Sequence, residues 1–218
     1  MMQTIAVVDY GMGNLKSVAK ALEHEAGRDA NVIITSDAAQ IDAAHRVVLP
    51  GQGAMPDCMK YLRQSGLQEA VLRAASDRPL LGVCVGEQML LDGSTEAFDG
   101  SGFTPGLGLI AGKCVRFPKD MVDAGGNRLK VPHMGWNNVF QTQSHALFAG
   151  IADGERFYFV HSYFAVPARA QDVAAISEYG ERLCVAVARD NIFATQFHPE
   201  KSAAAGLRLY KNFIQWQP

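Results

Sequence analysis

The segment Arg78-Pro-Leu-Leu-Gly-Val-Cys-Val-Gly-Glu-Gln-Met-Leu-Leu91 decides the fold of this chain. The apolar run at residues 80–83 predicts a short buried strand, and residues 87–91 predict the first turns of a helix. Cys84 therefore lies at the corner between strand and helix, with Gly82 and Gly86 on either side. Glycine suits both positions, because a side chain would crowd a backbone that turns so sharply.

A cysteine at such a corner is a candidate nucleophile. It lies at a helix N-terminus, whose free N–H groups and dipole favour a thiolate and can bind a developing oxyanion. The alternative is a small buried cysteine that only packs in the turn. The other cysteines form no C-x-x-C pair, which favours packing roles over a disulfide framework or a metal site; they are Cys58, Cys114 and Cys184.

Composition and charge exclude several classes of protein. The 218 residues carry 20 Lys and Arg against 22 Asp and Glu, and the basic residues are scattered, which argues against nucleic-acid binding. The first strand-like run, residues 4–8, follows no charged leader, and no apolar run is long enough to span a membrane. We therefore expect a cytoplasmic protein in which residues 1–218 form one domain.

The first half of the chain alternates predicted strands and helices. The strands are 4–8, 31–35, 46–49 and 80–83, and the helices are 14–26, 56–65 and 67–75, with a short helix capped by Ser36. Five glycines and a proline predict a loop over 92–109. The strands then follow one another at 110–117, 129–131, 136–140, 156–166, 173–179, 183–188 and 192–197, before a final helix at 202–216.

This order of elements predicts an α/β fold. A mostly parallel central sheet is flanked by helices, and antiparallel strands and hairpins are added to it in the second half. Turn signals at Tyr179-Gly-Glu181 and Asp190-Asn191 place the last three strands in hairpins.

A second candidate group lies near the C-terminus, in Phe193-Ala-Thr-Gln-Phe-His-Pro-Glu200. In an extended backbone, residues i and i+2 point to the same side, so Glu200 can lie beside His198. A carboxylate beside an imidazole fixes its tautomer and stabilises its charged form, as in a nucleophile–base–acid triad. The alternative for His198 is a surface histidine at a strand end.

Three further segments are candidates for a pocket. Pro50-Gly-Gln-Gly-Ala-Met55 follows a strand, and its glycines let the backbone approach a ligand, or simply form a tight turn. Pro132-His-Met-Gly-Trp-Asn137 and Tyr158-Phe-Val-His-Ser-Tyr163 carry His133 and His161 among aromatic residues. Both could line a pocket or a partner surface, and both could be core strands.

Taken together, these motifs resemble the class I (triad) glutamine amidotransferases along the whole chain. Within that class they are similar to the glutaminase subunits of imidazole glycerol-phosphate synthase. The resemblance implies a catalytic triad of Cys84, His198 and Glu200. It also implies an oxyanion hole formed by the backbone N–H of Val85 and one from the region of Gly51 and Gln52.

The resemblance further implies how substrate glutamine is held, with no metal or other cofactor. The residues that would bind it are Gly53, Gln88, Glu96, Ser162 and Tyr163. Two positions depart from commoner versions of the motif: Glu87 stands where an apolar residue is usual, and Gln52 stands where valine is frequent. Since Gln52 would act through its backbone, its identity should matter little to the chemistry. A carboxylate near Cys84 would oppose a thiolate unless it points elsewhere.

The same resemblance implies a partner. It is a separate (β/α)8 cyclase subunit that forms a heterodimer with this chain and takes up its ammonia to make imidazole glycerol phosphate and aminoimidazole-carboxamide ribotide. Candidates for the contacting face are Asn14, Lys16, Met134 and Trp136, with internal packing as the alternative for Trp136.

Other activities remain open at this point. The glutaminase subunits of pyridoxal phosphate synthase and anthranilate synthase belong to the same class. A γ-glutamyl hydrolase or a cysteine peptidase uses the same triad without a partner, and a regulatory binding module could share the fold.

Overall fold

The computed structural model describes residues 2–123 and 125–218, and the first half alternates strands and helices as predicted. The strands are β1 Gln3–Val8, β2 Ala30–Thr35, β3 Arg46–Gly51, β4 Leu80–Cys84, β5 Leu91–Ser94, β6 Thr104–Pro105, β7 Ile110–Arg116, β8 His133–Gln141, β9 Glu155–His161, β10 Tyr163–Pro167, β11 Val173–Tyr179, β12 Glu181–Arg189 and β13 Ile192–Thr195. The helices are α1 Leu15–Ala26, α2 Ala38–Ala43, α3 Met55–Gln64, α4 Gln68–Asp77, α5 Val85–Leu90 and α6 Ala203–Gln215, with 3₁₀ turns at Ala146–Phe148, Ala170–Asp172 and Pro199–Lys201.

The sheet has a parallel block with antiparallel strands added to one side. The strands β2, β1, β3, β4 and β13 lie side by side in that order, and each neighbouring pair is parallel. Next to β13, β12 pairs antiparallel, followed by β10 and β7. All residues of β3, β4 and β13 are buried, as expected for parallel strands covered on both faces. The predicted fold class is therefore confirmed.

Amphipathic helices cover the parallel block. In α6 the buried residues recur at helical spacing, so one stripe faces the core; they are Gly206, Leu209, Tyr210, Phe213 and Ile214. The helix α6 packs against α1, and α2 packs against α4. Among the residues that the structure describes, no helix is both long and apolar enough to cross a membrane.

The prediction of a loop over 92–109 is wrong in part. The helix α5 ends at Leu90, and β5 begins at Leu91 and pairs in parallel with β7. The carbonyls of Met89 and Leu90 accept hydrogen bonds from the N–H groups of Leu107 and Leu109, which return to this point. Pairing partners distant in sequence thus make a strand where composition alone indicated a loop.

The predicted strand at 129–131 does not form. None of the described strands pairs with this run; instead the N–H of Leu129 donates to the Met121 carbonyl, and the Lys130 carbonyl accepts from the hydroxyl of Tyr179. The predicted strand at 156–166 is instead two strands that meet at Ser162. They separate because β9 pairs with β8 whereas β10 pairs with β7 and β12.

The predicted cap of the short second helix is also wrong by one residue. Asp37, not Ser36, caps α2, because its side chain accepts a hydrogen bond from the Ala39 N–H at 2.9 Å. The remaining elements differ from prediction only by a few residues at their ends. Both predicted hairpins form, joining β11 to β12 and β12 to β13.

Close contacts at the corner after β4 explain its glycines. A Cβ atom on Gly82 would lie 2.9 Å from the Cβ of Ala194 on β13. A Cβ atom on Gly86 would overlap the carbonyl oxygen of Leu49 on β3. The corner therefore packs its backbone directly against both neighbouring strands, and a side chain at either glycine would push them apart.

We expect Gly86→Ala to destabilise the fold by about 3 kcal/mol or more, because a rigid backbone oxygen occupies the space the methyl group needs. The measurement is thermal unfolding followed by circular dichroism. The control is Gly66→Ala after α3, where the space is open and only the positive φ of +74° opposes a side chain, at about 1 kcal/mol. Equal losses in the two variants would contradict the packing argument.

Candidate active site

Three parallel strands bring distant parts of the chain to one edge of the sheet. In the register of the sheet, Gly51 at the end of β3 lies beside Cys84 at the end of β4, and Thr195 at the end of β13 lies beside Val83. The carboxyl ends of parallel strands share an edge, where α/β proteins bind their ligands. The segments that follow these strands, including His198, therefore meet there.

Cys84 has a backbone conformation that few side-chain-bearing residues adopt. Its φ is +56°, and α5 begins at the next residue, Val85. Such a conformation persists only where the surrounding structure enforces it, and it is typical of a nucleophile exposed at a strand-to-helix corner. The side chain of Cys84 is nearly buried but reaches a cavity.

His198 and Glu200 form a buried pair beside this cysteine. The Nδ1 of His198 lies 2.9 Å from Oε1 of Glu200, and both side chains are almost fully buried. The buried Nε2 of His198 has no hydrogen-bond partner among the residues that the structure describes. Burial alone would lower the pKa of His198, but the neighbouring Cys84 and Glu200 outweigh it and raise the pKa to about 10.

The histidine and the acid meet through a turn rather than an extended strand. Pro199–Lys201 is a 3₁₀ turn, so the i to i+2 argument gave the right neighbours from the wrong backbone geometry. The hydroxyl of Ser202 donates to the His198 carbonyl at 2.6 Å and accepts from the Tyr158 N–H at 3.0 Å, which fixes the turn against β9. The Tyr210 hydroxyl lies 3.4 Å from the second oxygen of Glu200.

A cavity of about 300 Å³ opens beside the cysteine, a small volume that suits a ligand of amino-acid size. Its walls are Gln52, Gly53, Cys84, Val85, Gln88, Glu96, Val160, His161, Ser162, Tyr163 and His198. All five predicted substrate-binding residues therefore lie on the wall, together with two of the three predicted oxyanion-hole residues. Gly51 is buried outside the lining, and Glu200 lies behind the imidazole.

Two polar side chains of this cavity, Glu96 and Gln88, are held by hydrogen bonds. Oε2 of Glu96 accepts from the N–H of Met55, in the first turn of α3, at 2.9 Å. Burial raises the pKa of Glu96, and this hydrogen bond partly opposes the rise. The Nε2 of Gln88 lies 2.9 Å from Oε1 of Gln196 and 3.4 Å from the Tyr163 carbonyl.

Gln196 contacts the cysteine, although motif reasoning did not single it out. Its Oε1 accepts from Gln88, so its Nε2 points the other way and lies 3.7 Å from the Cys84 sulfur. Gln196 is fully buried, two residues before His198. The signal that could have found it is its position inside the same strand-end segment as the histidine.

Glu87 points away from the nucleophile. It is fully buried, does not line the cavity, and neither of its side-chain oxygens has a hydrogen-bond partner among the described residues. Burial raises its pKa well above the ordinary value of 4.5, so the folded protein holds it as a neutral acid. It therefore adds no negative charge beside Cys84.

The four candidates for a partner face are accessible to different degrees. Met134 and Trp136 are 62% and 44% exposed on the outer face of β8, and the Trp136 ring contacts Tyr158 edge to face. Lys16 is exposed, whereas Asn14 at the start of α1 is half-buried. The turn Pro199–Lys201 packs against both α1 and β9, the strand that pairs with β8.

Comparison with known proteins identifies the family. The family model "Glutamine amidotransferase class-I" matches residues 6–216. The chain belongs to the class I glutamine amidotransferases. This amidotransferase is 61% identical to "Imidazole glycerol phosphate synthase subunit HisH" of Dechloromonas aromatica, covering 99% of this chain and 98% of that one. It is 59% identical to the protein of the same name from Aromatoleum aromaticum over the full length of both.

Solved structures agree on the fold of this amidotransferase. A structure titled "Crystal structure of glutamine amidotransferase" matches with a TM-score of 0.68 at 19% identity, covering 97% of each chain. PurLQS from Thermotoga maritima matches with a TM-score of 0.69 at 17% identity, covering 99% of each chain. At these identities the likeness concerns the fold alone.

The buried acid leads to a prediction about stability. We expect Glu87→Met to stabilise the protein by about 1 to 3 kcal/mol near neutral pH, because it removes a buried polar group without partners. In the unfolded chain Glu87 ionises near its ordinary pKa of 4.5, whereas the folded protein keeps the proton. The stability of the unmodified protein therefore falls as the pH rises above that value, and the advantage of the variant grows.

The measurement is urea unfolding of both proteins at several pH values from 4 to 8. Glu23→Met, on the exposed side of α1, serves as the control and should shift stability little at any pH. A variant that is less stable than the unmodified protein at neutral pH would show that Glu87 has a partner in solution.

Proposed function

We propose that this chain hydrolyses glutamine as the glutaminase subunit of an imidazole glycerol phosphate synthase and so serves histidine biosynthesis in the cytoplasm. In this proposal residues 1–218 act as one amidotransferase domain. The proposal rests on one structural observation: Cys84, His198 and Glu200 lie together at one edge of the sheet. The chain is also similar over its full length to proteins named HisH.

The chemistry begins with a thiolate. The shifted pKa of His198 favours an imidazolium beside a thiolate, so Cys84 can attack the side-chain amide carbon of glutamine without waiting for a separate base. The developing oxyanion lies near the start of α5, where the N–H of Val85 and a backbone N–H of the Gly51–Gln52 segment are its proposed donors. The loss of one such donor typically costs about 3 to 4 kcal/mol in the barrier.

His198 then moves protons in both half-reactions. It protonates the departing ammonia, which leaves a glutamyl thioester on Cys84, and it next activates water to hydrolyse that thioester to glutamate. Glu200 holds the ring by Nδ1, so Nε2 is the atom that faces the reaction. The lack of a hydrogen-bond partner for Nε2 in the described part of the chain agrees with this role.

The proposed substrate contacts follow from the cavity wall. Glu96 supplies a carboxylate for the α-amino group, while Gln88 and the Ser162–Tyr163 segment lie where they can hold the α-carboxylate. Gly53 lets the substrate approach the backbone closely because it has no side chain. Its φ of +88° is a conformation that other residues rarely adopt.

The proposed partner is a (β/α)8 cyclase subunit in a heterodimer with this chain. Ammonia released into bulk water would be protonated and lost, so it needs a covered route to its acceptor. Met134 and Trp136 present exposed apolar surface on β8, next to the strand that leads to Ser162 and Tyr163. Closure of this face would shield the cavity from water.

We expect Cys84→Ala to abolish imidazole glycerol phosphate formation from glutamine while the complex still uses added ammonium salt. Alanine removes the nucleophile but can keep the backbone turn, so the partner and its docking remain intact. Cys184→Ala is the control, because Cys184 is a buried thiol outside the cavity and should keep glutamine-dependent synthesis. Loss of both activities in Cys84→Ala would show that the cysteine does more than attack.

We further expect the glutaminase activity of the isolated chain to be low and to rise when the cyclase and its ligand are added.

Trp136→Ala should weaken the complex with the cyclase by about 1 to 3 kcal/mol, since a half-exposed tryptophan is a common binding hot spot. Isothermal titration calorimetry measures the affinity. Tyr61→Ala is the control, because Tyr61 is equally exposed at 44% on α3. Similar weakening in both variants would place the interface elsewhere.

A further inference from the structure

Two buried histidines outside the triad are paired on neighbouring strands. His133 on β8 lies directly opposite His161 on β9, and His133 Nδ1 is 3.0 Å from His161 Nε2. Both side chains are almost fully buried. Burial lowers the pKa of His133 to about 4 and that of His161 to about 3, so both rings are neutral near pH 7.

The partners of the two rings allow a single arrangement of protons. Nδ1 of His161 lies 2.9 Å from the Tyr163 carbonyl, which only accepts, so Nδ1 carries the hydrogen. Nε2 of His161 must then accept from Nδ1 of His133. Nε2 of His133 is left as an acceptor, and Nδ2 of Asn137 lies 3.4 Å from it. All four ring nitrogens therefore have a partner of the right kind.

The chain of hydrogen bonds continues to the nucleophile. The Tyr163 carbonyl that accepts from His161 also accepts from Nε2 of Gln88 at 3.4 Å. Gln88 donates to Gln196, whose Nε2 contacts the Cys84 sulfur. One carbonyl oxygen thus links the histidine pair to the carboxamides that approach the reacting atom.

The linked carbonyl lies in the cavity wall at the point where β9 ends and β10 begins. Ser162 separates β9 from β10, and Tyr163 is the first residue of β10, opposite Arg116 on β7. The Phe117 N–H donates to the Ser162 carbonyl at 3.0 Å, and His161 secures the next carbonyl. A displaced Tyr163 carbonyl would move both the cavity wall and Gln88.

We propose that His133 and His161 are positioning residues, which hold the Tyr163 carbonyl and Gln88 in the geometry that binds substrate and orients the Cys84 thiol. This inference rests on the function proposed above, since the substrate is taken to be glutamine. Neither histidine transfers a proton in the reaction. His161 acts directly on the carbonyl, and His133 acts by fixing the tautomer of His161.

The test compares ring substitutions that preserve packing. In the complex with the cyclase and its ligand, His161→Phe should raise the KM for glutamine about tenfold, the effect of losing one buried hydrogen bond, and lower kcat less. His133→Phe should act in the same direction but more weakly. A phenylalanine at position 133 can still stack on Phe159 and Tyr179. The kinetic effect of His133→Phe therefore reports the lost hydrogen bond to His161.

Rescue and control variants separate positioning from general stability. His161→Asn carries an amide nitrogen near the place of Nδ1 and should restore the KM to within about threefold, because the bond to the Tyr163 carbonyl returns. His145→Phe is the matched control: His145 also packs against aromatic rings, Phe193 and Trp216, and burial lowers its pKa to about 4, but it lies outside the cavity. It should lower the melting temperature without changing the KM.

Equal kinetic effects in His161→Phe and His145→Phe, or no rescue by His161→Asn, would overturn the proposal. If His161→Phe does not fold, His161→Asn is compared with His161→Gln, whose amide lies near the place of Nε2 and cannot reach the Tyr163 carbonyl. The positioning role predicts that only His161→Asn keeps a KM for glutamine close to that of the unmodified protein. Equal KM values in the two variants would refute it.

A second readout does not depend on glutamine. Alkylation of Cys84 by iodoacetamide, with no substrate present, should slow several-fold in His161→Phe and stay unchanged in His145→Phe. The reason is that the hydrogen bonds from His161 through Gln88 and Gln196 end at the Cys84 sulfur. If the unmodified complex releases no glutamate from glutamine, the proposed function fails. The alkylation comparison still supports or overturns the positioning role in that case.

Discussion

Close backbone packing at the corner after β4 is the constraint on which the rest of the site depends. A Cβ atom on Gly51 would lie 2.6 Å from the Gly86 nitrogen, so β3 and the start of α5 are in direct backbone contact. This contact holds Cys84 at a positive φ that its side chain disfavours. The cost is met by burial of the surrounding strands, and the result is a sulfur that projects from the sheet edge toward the cavity.

The two acids near this corner illustrate how environment decides the role of a carboxyl group. Glu200 is buried but paired with His198, and the pair raises the pKa of the imidazole. Glu87 is buried without a partner, and burial keeps it neutral. Glu87 is three residues from Cys84 along the chain and Glu200 lies behind His198, yet only the paired acid influences the charge of the site.

The strand β8 connects the outside of the molecule to its interior. Its side chains alternate, so Met134 and Trp136 face outward while His133 faces the core. The same short strand therefore carries the proposed partner contacts and the first ring of the hydrogen-bond chain that ends at Cys84. A partner that shifts β8 would act on both, which gives the docking face a physical connection to the site.

The sequence by itself determined the parallel α/β core, the glycine-flanked corner and the pairing of His198 with Glu200. Apolar runs, helical spacing and glycine positions are local signals, and burial on both faces of β3, β4 and β13 enforces them. Family resemblance added the five substrate-binding residues, all of which line the cavity, while their roles stay predictions. The inward direction of Glu87 carried no local signal, because a helix of one or two turns does not reveal which face is buried.

Only the tertiary structure decided the contacts between distant segments. Strand β5 exists because β7 lies beside it, and the run at 129–131 fails as a strand because none of the described strands pairs with it. Ser162 interrupts a continuous run because β9 pairs with β8 whereas β10 pairs with β7. The approach of Gln196 to Cys84 and the pairing of His133 with His161 likewise depend on sheet register. Pairing across a sheet is a property of two segments together, so neither segment encodes it alone.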